Sequence, residues 1–147
     1  NSHAGGMILK AGAEGLDVAA AIVSEPDASE FLQLDPKVFD VEEAQLQTMA
    51  KVVPHVNKKI ALERLRRIKV PLMFMNRDHD HMQGLFETSY EWTREAGLEP
   101  EHVSYDPDVH GYVLRVKQDA SGKYQPDEIQ LKAIGQAIDF FNRKMAQ

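Results

Sequence analysis

Three short stretches of the chain carry residues whose types and spacing could do chemistry. Ser2-His3-Ala4-Gly5-Gly6 places a serine directly ahead of a helical pattern, among small neighbours. A serine displayed as a nucleophile on a sharp strand-to-helix turn needs that crowd of small residues, because bulky side chains would clash there. The competing reading is a helix N-cap or a loose terminus. Arg77-Asp78-His79-Asp80 follows the clearest apolar run, and Asp106-Pro107-Asp108-Val109-His110-Gly111-Tyr112 follows a weaker one. If both runs are parallel strands, these loops lie at carboxyl ends on one rim, where such sheets place their sites. Aspartates in a turn also serve as plain turn formers and helix caps. Asp78-His79-Asp80-His81 offers a rival chemistry, since alternating carboxylates and imidazoles suit a divalent ion. One extended segment supplies only two ligands on a side, and the chain has no second histidine pair to complete them.

Composition narrows what those residues can serve. The chain has 147 residues, 43% hydrophobic and 27% charged, the profile of one folded unit. Its 17 basic and 23 acidic residues give a net charge of −6. Arg64-Leu65-Arg66-Arg67 is the densest basic run, so no basic face is available for nucleic acid. The absence of cysteine excludes disulfides, thiolate metal sites and cysteine nucleophiles. No apolar stretch approaches the roughly 20 residues of a membrane helix, and the N-terminus lacks the order of a signal peptide. A cytoplasmic protein without membrane or nucleic-acid partners is the expectation. The chain opens at Asn1 without an initiator methionine, which reads as a piece of something longer.

The elements that must position these residues follow from periodicity and from Gly and Pro punctuation. Ala4 to Ala13 reads as a short helix stopped by Gly15, and Asp17 to Val23 as a strand apolar on both faces. Residues 27–69 read as two or three helices without a strand, including a stretch from Val41 to Val53 and another from Asn57 to Arg67. Val70 to Met75 is the clearest strand. A helix from Leu85 to Ala96 ends at Gly97, and His102 to Tyr105 is a weak strand. Pro126 to Met145 spaces Ile129, Ala133, Ala137, Phe141 and Met145 as one helix face, with Arg143 and Lys144 in its last turn. Alternating helices and strands predict an α/β fold with a parallel sheet of about three strands.

In this order the motifs resemble the α/β-hydrolase superfamily, specifically the C-terminal half of an esterase or dienelactone-hydrolase/prolyl-oligopeptidase-like member. The resemblance spans nearly the whole chain. SHAGG matches the nucleophile elbow, VPLMFMNRDHD the strand and acid turn, DVHGY the histidine loop and QAIDFF the closing helix. It implies a serine hydrolase acting on carboxylic esters, without a cofactor: Ser2 as nucleophile, His110 as general base and Asp80 as the orienting acid, with Asp78 as runner-up. Arg77 stands where the family has a turn glycine. The His3 N–H would be one oxyanion-hole donor, the second coming from a loop upstream of the nucleophile. Glu25 and Tyr112 are the candidate substrate-binding positions, with a turn role competing for Glu25 and packing for Tyr112. Residues 27–69 would form a helical cap, its Phe31, Leu32, Phe39 and Met49 facing a small or medium acyl or aryl ester.

A full domain of this family has about eight strands and runs past roughly 200 residues. The resemblance therefore implies either a missing N-terminal half or a homo-oligomer that buries the open sheet edge, with Ser2 hanging from a free end. The alternative functions are an impaired hydrolase fragment used as an association module, and a metal-dependent hydrolase built on the Asp78–His81 cluster.

Overall fold

The computed structural model describes residues 1–38, 46–115, 117–125 and 127–146. Three strands, β1 (Ala21–Ser24), β2 (Leu72–Arg77) and β3 (Glu101–Tyr105), form a parallel sheet in the order β1-β2-β3. Helix α1 (His3–Ala13) precedes β1. Helices α2 (Ser29–Leu32), α3 (Met49–Val52) and α4 (Lys58–Leu65) lie between β1 and β2, with 3-10 turns at Pro36–Val38 and Val53–His55. Helix α5 (Gln83–Glu95) connects β2 to β3, and α6 (Glu128–Met145) closes the chain.

The α/β class and the parallel sheet agree with the periodicity, while several boundaries differ. The first strand is four residues long rather than seven: its pairing runs from Ala21 opposite Leu72 to Ser24 opposite Met75, and Asp17, Val18 and Ala19 are exposed outside it. The central strand begins at Leu72 rather than Val70 and runs on through polar Asn76 and Arg77. The expected helix over Val41 to Val53 falls partly outside the described residues, as do Phe39 and Pro126; Met49–Val52 is helical. The last helix starts at Glu128, where the Asp127 carboxylate accepts the Ile129 and Gln130 N–H groups as an N-cap.

β2 is buried on both faces, which explains its unbroken apolar run. Because side chains alternate across a strand, Leu72 and Phe74 join Leu9, Val23, Leu85, Phe86 and Trp92 on one side. Met73 and Met75 face the other, against Ala133 and Phe140 of α6. Phe31, Leu32, Val52, Ala61 and Leu65, all from residues 27–69, belong to the first of these clusters. Phe31 and Leu32, expected to face a substrate, are core residues instead, held there by the same apolar burial that packs α4 against α1, α2 and α5. Among the described residues no helix is long and apolar enough to cross a membrane.

All three strands run the same way, so their carboxyl ends open on one rim. Glu25, the turn 78–80 and the loop 106–111 leave the sheet there, and the N-terminus of α1 arrives beside them.

Candidate active site

Ser2 sits at the head of α1 with φ 49° and ψ −127°, a conformation that a residue with a Cβ rarely adopts. Such strain persists only where surrounding contacts over-determine it, at a cost of about 1–3 kcal/mol. Here they do. The Ser2 N–H donates to the Ser24 carbonyl at 3.0 Å, and the Ser2 carbonyl accepts the Gly5 N–H at 2.8 Å and the Asp27 N–H at 3.0 Å. The free-hanging serine expected from the sequence is thus corrected: backbone bonds to the exit of β1 pin the turn, adding a parallel bridge between Ser2 and Pro26. The Ser2 side chain makes no capping bond to the helix, which sets the N-cap reading aside. His3 is the first residue of α1, and helix geometry leaves the first N–H groups without intrahelical acceptors. Its own side chain points outward, 4.0 Å from Asp27.

The two other loops bring an imidazole and a carboxylate together. His110 Nδ1 lies 2.9 Å from Asp80 Oδ2. Asp80 is 2% exposed and also accepts the Met82 N–H at 2.8 Å and Arg77 Nη1 at 2.9 Å. Arg77 donates its Nε to the Pro107 carbonyl at 2.9 Å, so one guanidinium ties the acid to the loop that carries the histidine. Arg77 therefore has a structural partner on each loop, and its bond to Pro107, 30 residues away, leaves no signature in the sequence. Asp78, the runner-up acid, accepts the Ser104 hydroxyl instead, and His79 pairs with Asp106 at 3.0 Å.

Burial alone would raise the Asp80 carboxyl, but the bonds from His110, the Met82 N–H and Arg77 outweigh it and hold it down to about 2. The hydrogen bond to Asp80 raises His110 above the usual imidazole range, against the effect of burial and with help from the charges of Glu25 and Asp80. A depressed carboxylate stabilises the fold above its unfolded value near 4, and that contribution disappears as pH falls through about 2. For a shift of this size it is worth about 2 kcal/mol. Asp80→Asn should flatten the acid limb of stability between about pH 4 and pH 2, read from urea unfolding across that range.

Two expected substrate contacts are placed differently. Tyr112 is 4% exposed, packed edge-on against Tyr105, with its hydroxyl on the Asn76 carbonyl at 3.3 Å. Its packing role won because the 3-10 turn at Tyr112–Leu114 folds it back onto the sheet face covered by α6. Glu25 is fully buried, its two oxygens engaged by Asn1 and the Gly111 N–H, so it lines no open surface.

Of the metal cluster read from sequence, Asp78 and His79 turn to other partners. Asp80, His81 and His110 hold ligand atoms within 4.8 Å of one another. The Arg77 guanidinium on the same Asp80 carboxylate opposes a divalent cation there, whereas it suits a carboxylate that orients a protonatable imidazole. Compared with protein-family models, with curated proteins and with solved structures, the chain matches none of them.

Proposed function

We propose that the chain is a serine hydrolase of the α/β-hydrolase type, acting on carboxylic esters through an acyl-enzyme. The observation that carries this reading is the His110 imidazole held at 2.9 Å by a buried, ionised Asp80, on the sheet rim that also carries the strained Ser2 turn. Asp80 accepts from Nδ1, which leaves Nε2 as the base. His110 takes the proton of the Ser2 hydroxyl as its oxygen attacks the ester carbonyl. The charge on the carbonyl oxygen is met by the His3 N–H at the positive end of α1, which is one donor of an oxyanion hole. His110 then returns the proton to the departing alcohol, and water repeats the cycle on the acyl-serine to release the acid. A nucleophile, a base and an anion donor support acyl transfer to water, and the choice of carboxylic esters comes from the resemblance of the sequence motifs.

The test is a fluorophosphonate, which phosphonylates an activated serine and expels fluoride. Intact mass should show one adduct, and digestion should place it on the peptide that contains Ser2. Labelling at another residue, or none in a folded chain, would overturn the proposal.

A further inference from the structure

Glu25 is a buried carboxylate at the rim that the proposed triad leaves unused. It is 0% exposed, follows β1 directly, and is held at φ 42° ahead of Pro26. Burying a carboxylate there costs desolvation that an apolar side chain of the same size would not incur. Its partners show what offsets that cost. Oε2 accepts the Asn1 side-chain amide at 3.0 Å, and both oxygens lie 3.0 Å from the Gly111 N–H. Asn1 precedes Ser2 and Gly111 follows His110, so one carboxylate grips the neighbours of both residues. Oε1 is also 3.6 Å from His110 Nδ1. Gly111 fits this grip because it takes φ 77°, and a Cβ there would sit 3.2 Å from the Asn1 amide nitrogen.

We propose that Glu25 is a positioning residue that clamps the serine turn to the histidine loop and presents a second carboxylate to the His110 imidazole. Burial raises the Glu25 carboxyl above the usual range and the Asp80 charge adds to that, while the Gly111 N–H, the His110 charge and the Asn1 amide oppose it. The hydrogen bonds to its oxygens all come from donors among the described residues, an arrangement that suits the ionised carboxylate. The charged and titratable groups around the imidazole are Asp80 at 2.9 Å, Arg77 on Asp80, His81 with its ring centre 5.6 Å away, and Glu25 itself; buried Tyr112 follows in the loop. When His110 takes the serine proton, Asp80 and Glu25 share the stabilisation of the imidazolium. The catalytic consequence rests on the hydrolase reading above, and the clamp does not.

The test compares wild type with Glu25→Gln, following the His110 imidazole by NMR titration, assigned with His110→Ala, and the fluorophosphonate labelling rate against pH. Glu25→Gln should move the His110 midpoint to lower pH and lower the plateau labelling rate by about ten- to a hundredfold, the range expected for a misplaced base. A merely structural residue would move neither the midpoint nor the acid limb of the rate. A folded Glu25→Gln chain with the wild-type midpoint and rate overturns the proposal. Should that variant not fold, Glu25→Asp, which withdraws the charge by one methylene, must shift both in the same directions, and unchanged values overturn it equally. If wild type takes no label, the hydrolase reading falls while the NMR midpoint still decides the clamp.

Discussion

His110→Ala should lower the rate of Ser2 acylation, and of turnover of an activated aryl ester, on the order of 10⁴- to 10⁶-fold. The size follows from what the imidazole does. Without it, the hydroxyl of Ser2 must lose its proton to water in the step that forms the acyl bond, and the departing alcohol has no acid. Asp80 cannot substitute, because its carboxyl titrates near 2 and its oxygens are taken up by Arg77, the Met82 N–H and His110 itself. Ser2→Ala should fall to the same floor. The combination of the two is the sharper measurement, because residues that work as one unit show grossly non-additive losses. A double variant no slower than either single one is the expected outcome. Losses that multiply would mean that serine and histidine act separately, and would remove the triad from the proposal. Asp80→Asn should cost about 10⁴-fold by favouring the wrong imidazole tautomer, together with about 2 kcal/mol of stability at neutral pH, where the ionised carboxylate contributes in full.

The parts of this architecture that were legible in the sequence are those fixed by local pattern. β2 announces itself because a strand covered on both faces has no polar alternation to hide it, and α6 because its apolar residues recur every three or four positions. The two loops that follow β2 and β3 could be placed because parallel strands deliver their carboxyl ends to one rim, whereas the Ser2 turn precedes α1 and is brought there by backbone bonds to Ser24 and Asp27. The limits of β1 were not legible. Val18 to Val23 is apolar throughout, but strand length is set by the partner, and of these residues only Ala21, Ile22 and Val23 pair with β2. Nor was the role of Glu25, whose contacts lie 24 residues back and 86 residues ahead. The same holds for Arg77: a guanidinium bridging Asp80 and the Pro107 carbonyl has no periodic or turn signature. Apolar residues of 27–69 carried a misleading cue, since a hydrophobic helix reads alike whether it covers a site or fills a core.

Gly6→Ala should destabilise the chain by about 3 kcal/mol, the upper part of the range for forcing one extra carbon into a filled space. A Cβ at Gly6 would stand 2.0 Å from the Asp27 carbonyl oxygen and 3.0 Å from its carbonyl carbon. Those are backbone atoms of the segment that leaves β1, and that segment is bonded to the serine turn through the Asp27 N–H and the Ser2 carbonyl. No side-chain rotation relieves the overlap, so α1 must lift from the end of β1 and carry Ser2 with it. Labelling should therefore fall together with stability, because a displacement of about 1 Å at a reacting group costs on the order of a hundredfold. Gly135→Ala provides the opposite sign. It lies exposed inside α6 with nothing within 4 Å of a Cβ, so the substitution only removes backbone freedom from a helix. It should stabilise by about 0.5–1 kcal/mol, with labelling unchanged. Urea midpoints for the two variants separate the effects. A Gly6→Ala chain as stable and as reactive as wild type would show that the close approach of α1 to β1 does not hold the serine turn in place.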